Sequence, residues 1–292
     1  MIGRLVTRLV DAQAGWARPF GEFNHRWLSA LFRPIRPVKD FFNGTWLGHP
    51  VHSAITDVPI GALTVALILD IALILDLVDS PVGADVALLV GVLSMLAAAV
   101  VGLADYTDTD GTARMRATVH ATVMVVSLVF FVISLVIRAG NPADRTIAFV
   151  LLLIGYLIVS LGAAIGGDLV YLIGTHVNRH AWRGAGAKWV SVDLGGLADI
   201  PEGGPTRIKA GINDLVVIRN GDAILALHAQ CAHAGGPLPE GTLVKDQIEC
   251  PWHGSRFRLA DGHVKRGPAM YDQPAYELRR TDAGWEARRR PR

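Results

Sequence analysis

Four long apolar segments constrain this chain more than any other feature of its sequence. Each approaches or exceeds the roughly 20 residues that a helix needs to cross a bilayer core. Only short polar stretches separate them, which favours an up-down-up-down bundle of four transmembrane helices. Composition agrees, because 51% of the 292 residues are hydrophobic and only 18% are charged. The segments lie at residues 54–78, 85–104, 117–137 and 146–173.

The regions on either side of these segments differ from them and from each other. Residues 1–48 combine tryptophan and phenylalanine with arginine, a pattern typical of the membrane interface, so we expect an interfacial N-terminal arm. A flexible basic arm is the alternative. Residues 178–188 contain two glycines and are expected to form a tether. Residues 189–292 alternate in short runs split by Gly, Pro and Asp, which predicts an all-β domain.

The expected fold is therefore mixed, with two domains: an all-α four-helix transmembrane bundle over residues 49–177 and an all-β domain over residues 189–292. Arginine and lysine are enriched in the N-terminal arm, in the second loop and after the fourth span, which predicts that both termini are cytoplasmic. The chain has two cysteines, and both belong to the motif described next, which fits a reducing compartment. The sequence has no basic stripe with interleaved aromatic residues, so nucleic acid is not expected as a partner.

Two short motifs in the β domain carry metal-binding residues. Cys231-Ala232-His233 is followed, after sixteen residues, by Cys250-Pro251-Trp252-His253. Two thiolates suit one iron and two imidazoles the other, which is the ligation of a Rieske centre. The stretch resembles the Rieske family, which implies a [2Fe–2S] cluster held by these two cysteines and two histidines, with both histidines facing solvent. A Cys₂His₂ zinc site is the alternative, since zinc takes the same residue types.

The sequence differs from the bc-type Rieske proteins at residues beside the cluster, and these differences bear on the expected reduction potential. In cytochrome bc-type members each loop has an additional cysteine, and here Gly236 and Trp252 occupy those places. Ser255 is kept as a residue beside the cluster, but Phe257 replaces the bc-type tyrosine. Fewer hydrogen bonds to the cluster sulfurs predict a reduction potential below that of bc-type centres. The soluble part resembles a Rieske ferredoxin fused to a membrane anchor.

Histidines mark one end of the predicted bundle. The His49-Pro50-Val51-His52 entry into the first span resembles a bacterial membrane-domain family of unknown function, and the likeness continues through His120 to about His176. Starts of odd spans and ends of even spans face the same side, so these histidines and Asp105 are expected to gather at one end. His52 with His120 is the preferred pair for a haem b, with His49 and His176 as alternates. A quinone pocket using Asp105, another metal site and a structural role remain open alternatives.

The sequence as a whole predicts a one-electron transfer protein of the bacterial cytoplasmic membrane, with its Rieske domain on the cytoplasmic side. Its acceptor or donor would be a haem b or quinone in its own membrane domain. The alternatives are a membrane-tethered ferredoxin that serves a separate oxygenase or reductase, and a redox or iron sensor. We find no nucleophile, nucleotide loop or flavin motif, so the chain is not expected to transform a substrate by itself. Expected partners are the lipid bilayer and a redox protein or quinone.

Overall fold

The chain forms two compact units. A computed structural model describes residues 2–140, 145–182, 188–194, 200–221 and 223–291. One unit combines Met1–Phe42 with Val51–Thr175, and the other combines Asn43–Pro50 with His176–Arg292. The first is helical and the second is built of β-strands, so the expected mixed architecture is confirmed.

Four helical spans form the first unit, and each is long and apolar enough to cross a membrane. The first span is interrupted at Thr56, just before Pro59, whose ring lacks the amide hydrogen that an unbroken helix would use there. Mean hydropathy over the best window of each span is between 2.1 and 2.6. In chain order the helices are α4 (Val51–Ile55) and α5 (Asp57–Ile74) in the first span, then α6 (Val82–Tyr106), α7 (Gly111–Gly140) and α8 (Arg145–Tyr171).

The spans pack around a narrow apolar core. Helix α5 packs on α6, α6 on α7, α7 on α8 and α8 on α5, which places α5 and α7 on a diagonal of the bundle. Small residues allow the helices to approach closely: a Cβ atom added at Gly155 would lie 2.8 Å from the ring of Phe131, which is fully buried. The core is lined by Leu63, Ala66, Leu88, Val92, Met95, Phe131, Leu152 and Val159.

A cluster of four charged side chains, which we call the charged clasp, lies at the end of the bundle opposite the predicted histidines. Each span contributes one member: Asp70 from α5, Asp85 from α6, Arg138 from α7 and Arg145 from α8. Arg138 donates to Asp85 at 3.0 Å and also contacts both oxygens of Asp70. Arg145 bonds to Asp70 at 3.1 Å and to Asp85 at 2.9 Å. Asp70 is therefore held in ion pairs with arginines of two other spans.

The N-terminal arm forms three helices, α1 (Ile2–Asp11), α2 (Ala14–Phe32) and α3 (Arg36–Asn43). One face of α2 packs on the spans, with Ala17 and Leu28 buried against residues of α6, α7 and α8. Ion pairs also join α1 and α3 to the spans. Asp11 accepts from Arg116 at 2.6 Å, and Lys39 donates to Asp108 at 2.5 Å with both side chains nearly inaccessible.

The second unit contains a closed six-stranded barrel with the strand order β1-β10-β9-β4-β3-β2. Neighbouring strands of the barrel are antiparallel, and alternate residues such as Leu215 and Val217 face its core. The strands are β1 (Val190–Val192), β2 (Pro205–Ala210), β3 (Asn213–Asn220), β4 (Ala223–His228), β9 (Ala275–Thr281) and β10 (Gly284–Arg289).

A smaller four-stranded sheet is inserted between β4 and β9. Its strands are β5 (Thr242–Val244), β6 (Gln247–Glu249), β7 (Arg256–Arg258) and β8 (Val264–Arg266), joined in sequential antiparallel order. Phe257 and Ile248 are fully buried and face each other across β6 and β7. This pair anchors the sheet to the core that also contains both cysteines.

The segments that lead into and out of the spans belong to the β unit. Thr45 Oγ1 donates to the carbonyl oxygen of Ala269 at 3.2 Å. The amide of Arg179 donates to the carbonyl oxygen of Ala232, also at 3.2 Å. Residues 178–182 were expected to begin a flexible tether, and this expectation is wrong, because backbone and side-chain hydrogen bonds hold them to the domain. Residues 183–187 of the expected tether lie outside the described residues.

Candidate functional site

Two loops present the predicted cluster residues, and they close in the same way. The amide of Cys231 donates to the carbonyl oxygen of Gly236, five residues on, and the amide of Cys250 does the same to Ser255, both at 2.8 Å. A glycine with positive φ follows each cysteine by four residues and donates back to it. The left-handed backbone is accessible to glycine at little cost, which explains Gly235 and Gly254 at these turns. These hydrogen bonds close each loop into a turn around its cysteine.

The two thiols are buried side by side. Cys231 is 1% exposed and Cys250 is 3% exposed, and both are free cysteines. The hydrogen bond from Cys231 lowers the pKa of the Cys250 thiol to about 7, helped by the amides of Trp252 and His253. The same bond, together with burial, holds the pKa of Cys231 well above its usual value. A site that favours thiolate and aims backbone N–H groups at it suits iron ligation.

The two imidazoles form a second pair. The rings of His233 and His253 have centroids 5.0 Å apart and are nearly perpendicular. Both were expected to face solvent, and for His233 this is wrong, because it is only 7% exposed. His253 is partly exposed, and Trp252 beside it is 53% exposed. The side of the site that faces solvent is therefore the one formed by His253 and Trp252.

The donors fit a two-iron cluster better than a single metal ion. Sulfur lies beside sulfur and imidazole beside imidazole, which matches two ligands of one kind on each iron. Within the described ranges no three His, Cys, Asp or Glu side chains converge as a mononuclear site would require. A Cβ atom added at Gly236 would lie 2.7 Å from the Cys250 sulfur, so glycine here keeps the space beside that sulfur open.

Ser255 lies directly beneath the second loop. It is 1% exposed, and its Oγ accepts the amide of Ala269 at 3.0 Å. No acceptor for its hydroxyl hydrogen is found in the part of the chain that the structure describes, so that hydrogen is available to a sulfur of a bound cluster. Phe257 is buried and brings no hydroxyl group.

Three buried polar residues that support the first loop were missed from sequence. Gln273, 1% exposed, accepts the amide of Ala232 at 2.8 Å and donates to the carbonyl oxygens of His228 and Gln230, both at 2.7 Å. His180 bonds to the Gln230 carbonyl oxygen at 2.8 Å and packs its ring on His228, 4.4 Å between centroids. Neither histidine lies in a motif, and both are buried, at 3% and 2% exposed.

The four histidines predicted at one end of the bundle fall in different units. His52 and His120 belong to the helical unit, whereas His49 and His176 belong to the β unit. His49 Nδ1 lies 3.1 Å from the carbonyl oxygen of Pro50, and the His176 backbone has a φ of 63°. Asp105 belongs to the helical unit and is buried there. His52 and His120 can therefore be compared as a pair within the helical unit, and His49 and His176 only within the β unit.

Comparison with known proteins defines the class: an iron–sulfur domain joined to a membrane domain. The Rieske [2Fe-2S] domain model matches residues 189–277, and the model described as "Predicted membrane protein (DUF2231)" matches residues 48–179. The anthranilate 1,2-dioxygenase ferredoxin subunit of Burkholderia cepacia is 30% identical over 89 residues, which are 30% of this chain and 82% of that protein. The chain belongs to the Rieske [2Fe–2S] family through its C-terminal domain.

Other relatives share only parts of their length with this chain. Ferredoxin CarAc of Metapseudomonas resinovorans is 36% identical over 70 residues, which cover 24% of this chain and 65% of that protein. Mouse apoptosis-inducing factor 3 is 28% identical over 74 residues, 25% of this chain and 12% of its own length. Among solved structures, the ferredoxin of carbazole 1,9a-dioxygenase from Nocardioides aromaticivorans is 26% identical, covering 36% of this chain and 97% of its own, with a TM-score of 0.30.

Proposed function

We propose that this protein is a membrane-anchored carrier of single electrons, with Cys231, His233, Cys250 and His253 as the ligands of its [2Fe–2S] cluster. The observation that carries the proposal is the paired geometry of two buried thiols and two facing imidazoles in matching loops. When bound, such a cluster accepts and releases one electron at a time. The loops exclude water from the sulfurs, and the partly exposed His253 lies where an electron would enter or leave.

The residues around the site set its reduction potential. Backbone amides at His233, Ala234, Trp252 and His253 point at the cysteine sulfurs. Ser255 supplies one hydroxyl, whereas Phe257 supplies none. Hydrogen bonds to sulfur stabilise the reduced, more negative cluster, so one fewer bond than in bc-type centres predicts a lower potential. A redox titration of the purified protein that gave a bc-type potential would contradict this reasoning.

The membrane domain supplies the second part of the proposal, an electron partner in the same chain. We propose a haem b or a quinone at the histidine end of the bundle. The charge bias of the loops supports a cytoplasmic position for this end, for both termini and for the Rieske domain, in a bacterial cytoplasmic membrane. Polar and ionisable groups within a membrane domain are usually functional, which supports a redox or proton-handling role for His52, His120 and Asp105.

The N-terminal arm is proposed to lie in the headgroup layer. Its helix α2 buries one face on the spans and leaves an aromatic stripe of four residues exposed on the other, at 40–64% each. Exposed arginines flank the stripe, as at an anionic interface. Brominated lipids should quench the fluorescence of a variant whose only tryptophan is Trp27. A variant whose only tryptophan is Trp285, which packs on the barrel core, should be unaffected. The stripe consists of Trp16, Phe20, Phe23 and Trp27.

A second candidate function is a membrane-tethered ferredoxin whose partner is a separate oxygenase or reductase. It is favoured by the relatives named as ferredoxin components of dioxygenases. In this case the bundle serves only as an anchor. A redox or iron sensor is a third candidate, and it would bind a partner in one cluster state without passing electrons on.

Spectroscopy of the full-length protein in nanodiscs separates these functions. The reduced protein should give the EPR signal of a Rieske cluster, Cys250→Ser should abolish it, and the exposed-residue control His263→Gln should retain it. Stopped-flow reduction of the cluster should then be followed by electron transfer to a haem or an added quinone in the same nanodisc. Transfer only to an added soluble oxygenase would instead identify the tethered ferredoxin, and no cluster signal in the wild-type protein would refute the first proposal.

A further inference from the structure

His52, in the first helical hairpin of the membrane domain, is seated on the backbone of the next span. Its Nδ1 atom lies 2.9 Å from the carbonyl oxygen of Ala98 on α6. Its ring lies against Gly102, one turn further along that helix, where an added Cβ atom would be 2.9 Å from the ring carbon Cε1. A larger residue at this glycine would displace the imidazole.

His120, in the second hairpin, repeats this arrangement. Its Nδ1 atom lies 2.9 Å from the carbonyl oxygen of Gly162 on α8. Its ring lies against Gly166, again four residues further on, where an added Cβ atom would be 3.1 Å from Cε1. The two hairpins therefore hold one imidazole each by the same contacts, related by an internal repeat of the bundle.

These contacts fix the tautomer of both rings. A carbonyl oxygen only accepts hydrogen bonds, so each Nδ1 must carry the proton and each Nε2 must keep its lone pair. Such a bond from the distal ring nitrogen to a carbonyl oxygen is the usual way in which proteins orient a metal-ligating histidine. Neither Nε2 has a hydrogen-bond partner among the described residues, and both side chains are only partly buried. Each ring thus keeps an Nε2 lone pair that no described residue occupies.

The two imidazoles share a level of the bundle. Helices α6 and α7 run antiparallel through the turn that joins Tyr106 to Gly111. Ala98, which holds His52, and His120 lie roughly equally far from that turn, so they stand at the same height. Their helices stand on a diagonal of the bundle, so at this level the two rings come from opposite corners of it. A ligand between them would therefore lie inside the bundle.

The number of protein side chains available as metal ligands indicates which metal group could bind between the two histidines. Two histidines are too few for a zinc or mononuclear iron site, which takes three or four protein ligands, and the described residues add no third donor of the usual kinds. A haem needs only two, because its porphyrin occupies four positions around the iron. We propose that His52 and His120 ligate one b-type haem through their Nε2 atoms, one from each repeat of the membrane domain. This inference deepens the proposed function and rests on it for the role of the haem as electron partner.

The test uses the full-length protein, expressed with added haem precursor and purified in detergent. A pyridine haemochrome assay should give about one b-type haem per chain, and EPR should show it as low-spin with two nitrogen ligands. His52→Ala and His120→Ala should each abolish the low-spin signal. The matched control His49→Ala should retain it, although this residue lies three positions from His52. Imidazole added to His120→Gly should restore the low-spin signal, since it replaces the missing ring.

The outcomes separate this inference from the proposed function, because the Rieske EPR signal reports the cluster independently in every variant. A wild-type protein without haem, or equal loss of haem from His49→Ala and His52→Ala, would overturn the His52–His120 site. Electron transfer from the cluster to quinone in such a haem-free protein would leave the proposed function standing. If the haem binds as expected but never accepts electrons from the reduced cluster, the haem site survives and its proposed role does not.

Discussion

Gln273 provides a direct test of how the first cluster loop is held. Its side chain makes three hydrogen bonds to backbone groups on both sides of Cys231. Leucine at this position is of similar size but makes none of them. The Gln230 carbonyl oxygen would keep its bond to His180, so Gln273→Leu removes the side-chain bonds to the amide of Ala232 and to the carbonyl oxygen of His228.

The size of the effect follows from those two lost hydrogen bonds. A net hydrogen bond contributes about 1 kcal/mol and a buried amide left without a partner costs about 1–3 kcal/mol, so the free energy of unfolding of the domain should fall by roughly 2–4 kcal/mol. A loss of about 3 kcal/mol lowers the Tm of a domain of this size by roughly 12–24 °C. The measurement is urea unfolding of the full-length protein, followed by the visible circular dichroism of the cluster, which reports the Rieske domain alone.

The matched control is Gln247→Leu, because this glutamine lies at the surface of β6 and bonds only to its neighbour Asp246, at 3.4 Å. Its effect should stay within about 0.5 kcal/mol. The EPR spectrum of Gln273→Leu should also shift, since the loop that carries Cys231 and His233 loses its support. A stability loss no larger than that of the control, with an unchanged spectrum, would refute the assignment of Gln273 as the support of this loop.

Three further substitutions test other contacts. His180→Leu removes a bond to the first loop and a ring contact. It should lower the free energy of unfolding, followed in urea through the cluster signal, by about 1–2 kcal/mol, whereas exposed His263→Leu should not. Gly236→Ala should reduce the amount of cluster, measured as iron per chain, because the added methyl group would lie 2.7 Å from a cysteine sulfur. Lys39→Met should destabilise the helical unit by about 3–5 kcal/mol, since it removes the cation that faces the buried Asp108 carboxylate. Adding Asp108→Leu should recover part of that loss in a thermal unfolding assay.

The parts of the molecule that were predicted from sequence are those encoded locally. The four spans follow from uninterrupted apolar runs, and the cluster loops follow from two short motifs whose glycines set the turns. The sequence did not show which group pairs with Asp70. Its partner Arg138 lies on another span, 68 residues away, so only the contacts of the folded bundle reveal the pair. Sequence alone showed a charge in an apolar segment but not what neutralises it.

The supports of the first loop were missed for the same physical reason. Gln273 lies 41 residues from Ala232, and a single glutamine between strands carries no periodicity or spacing that would mark it. His180 precedes the range matched by the Rieske family, so neither composition nor motif associates it with the cluster. The burial of His233 likewise depends on contacts made after folding. His180 and His228 precede the cluster motif in the sequence, and they were the one available signal of a polar support. Their burial could not be inferred without the fold.

The charged clasp makes the two hairpins of the membrane domain non-interchangeable. At the histidine end the hairpins are alike, each offering an imidazole seated on a glycine of the following span. At the other end they have opposite signs, since the first brings Asp70 and Asp85 and the second brings Arg138 and Arg145. Two copies of the first hairpin would bury four carboxylates together, and two copies of the second would bury four guanidinium groups, both at a high electrostatic cost. The charges of the clasp therefore favour pairing of the first hairpin with the second over pairing of either hairpin with its own copy.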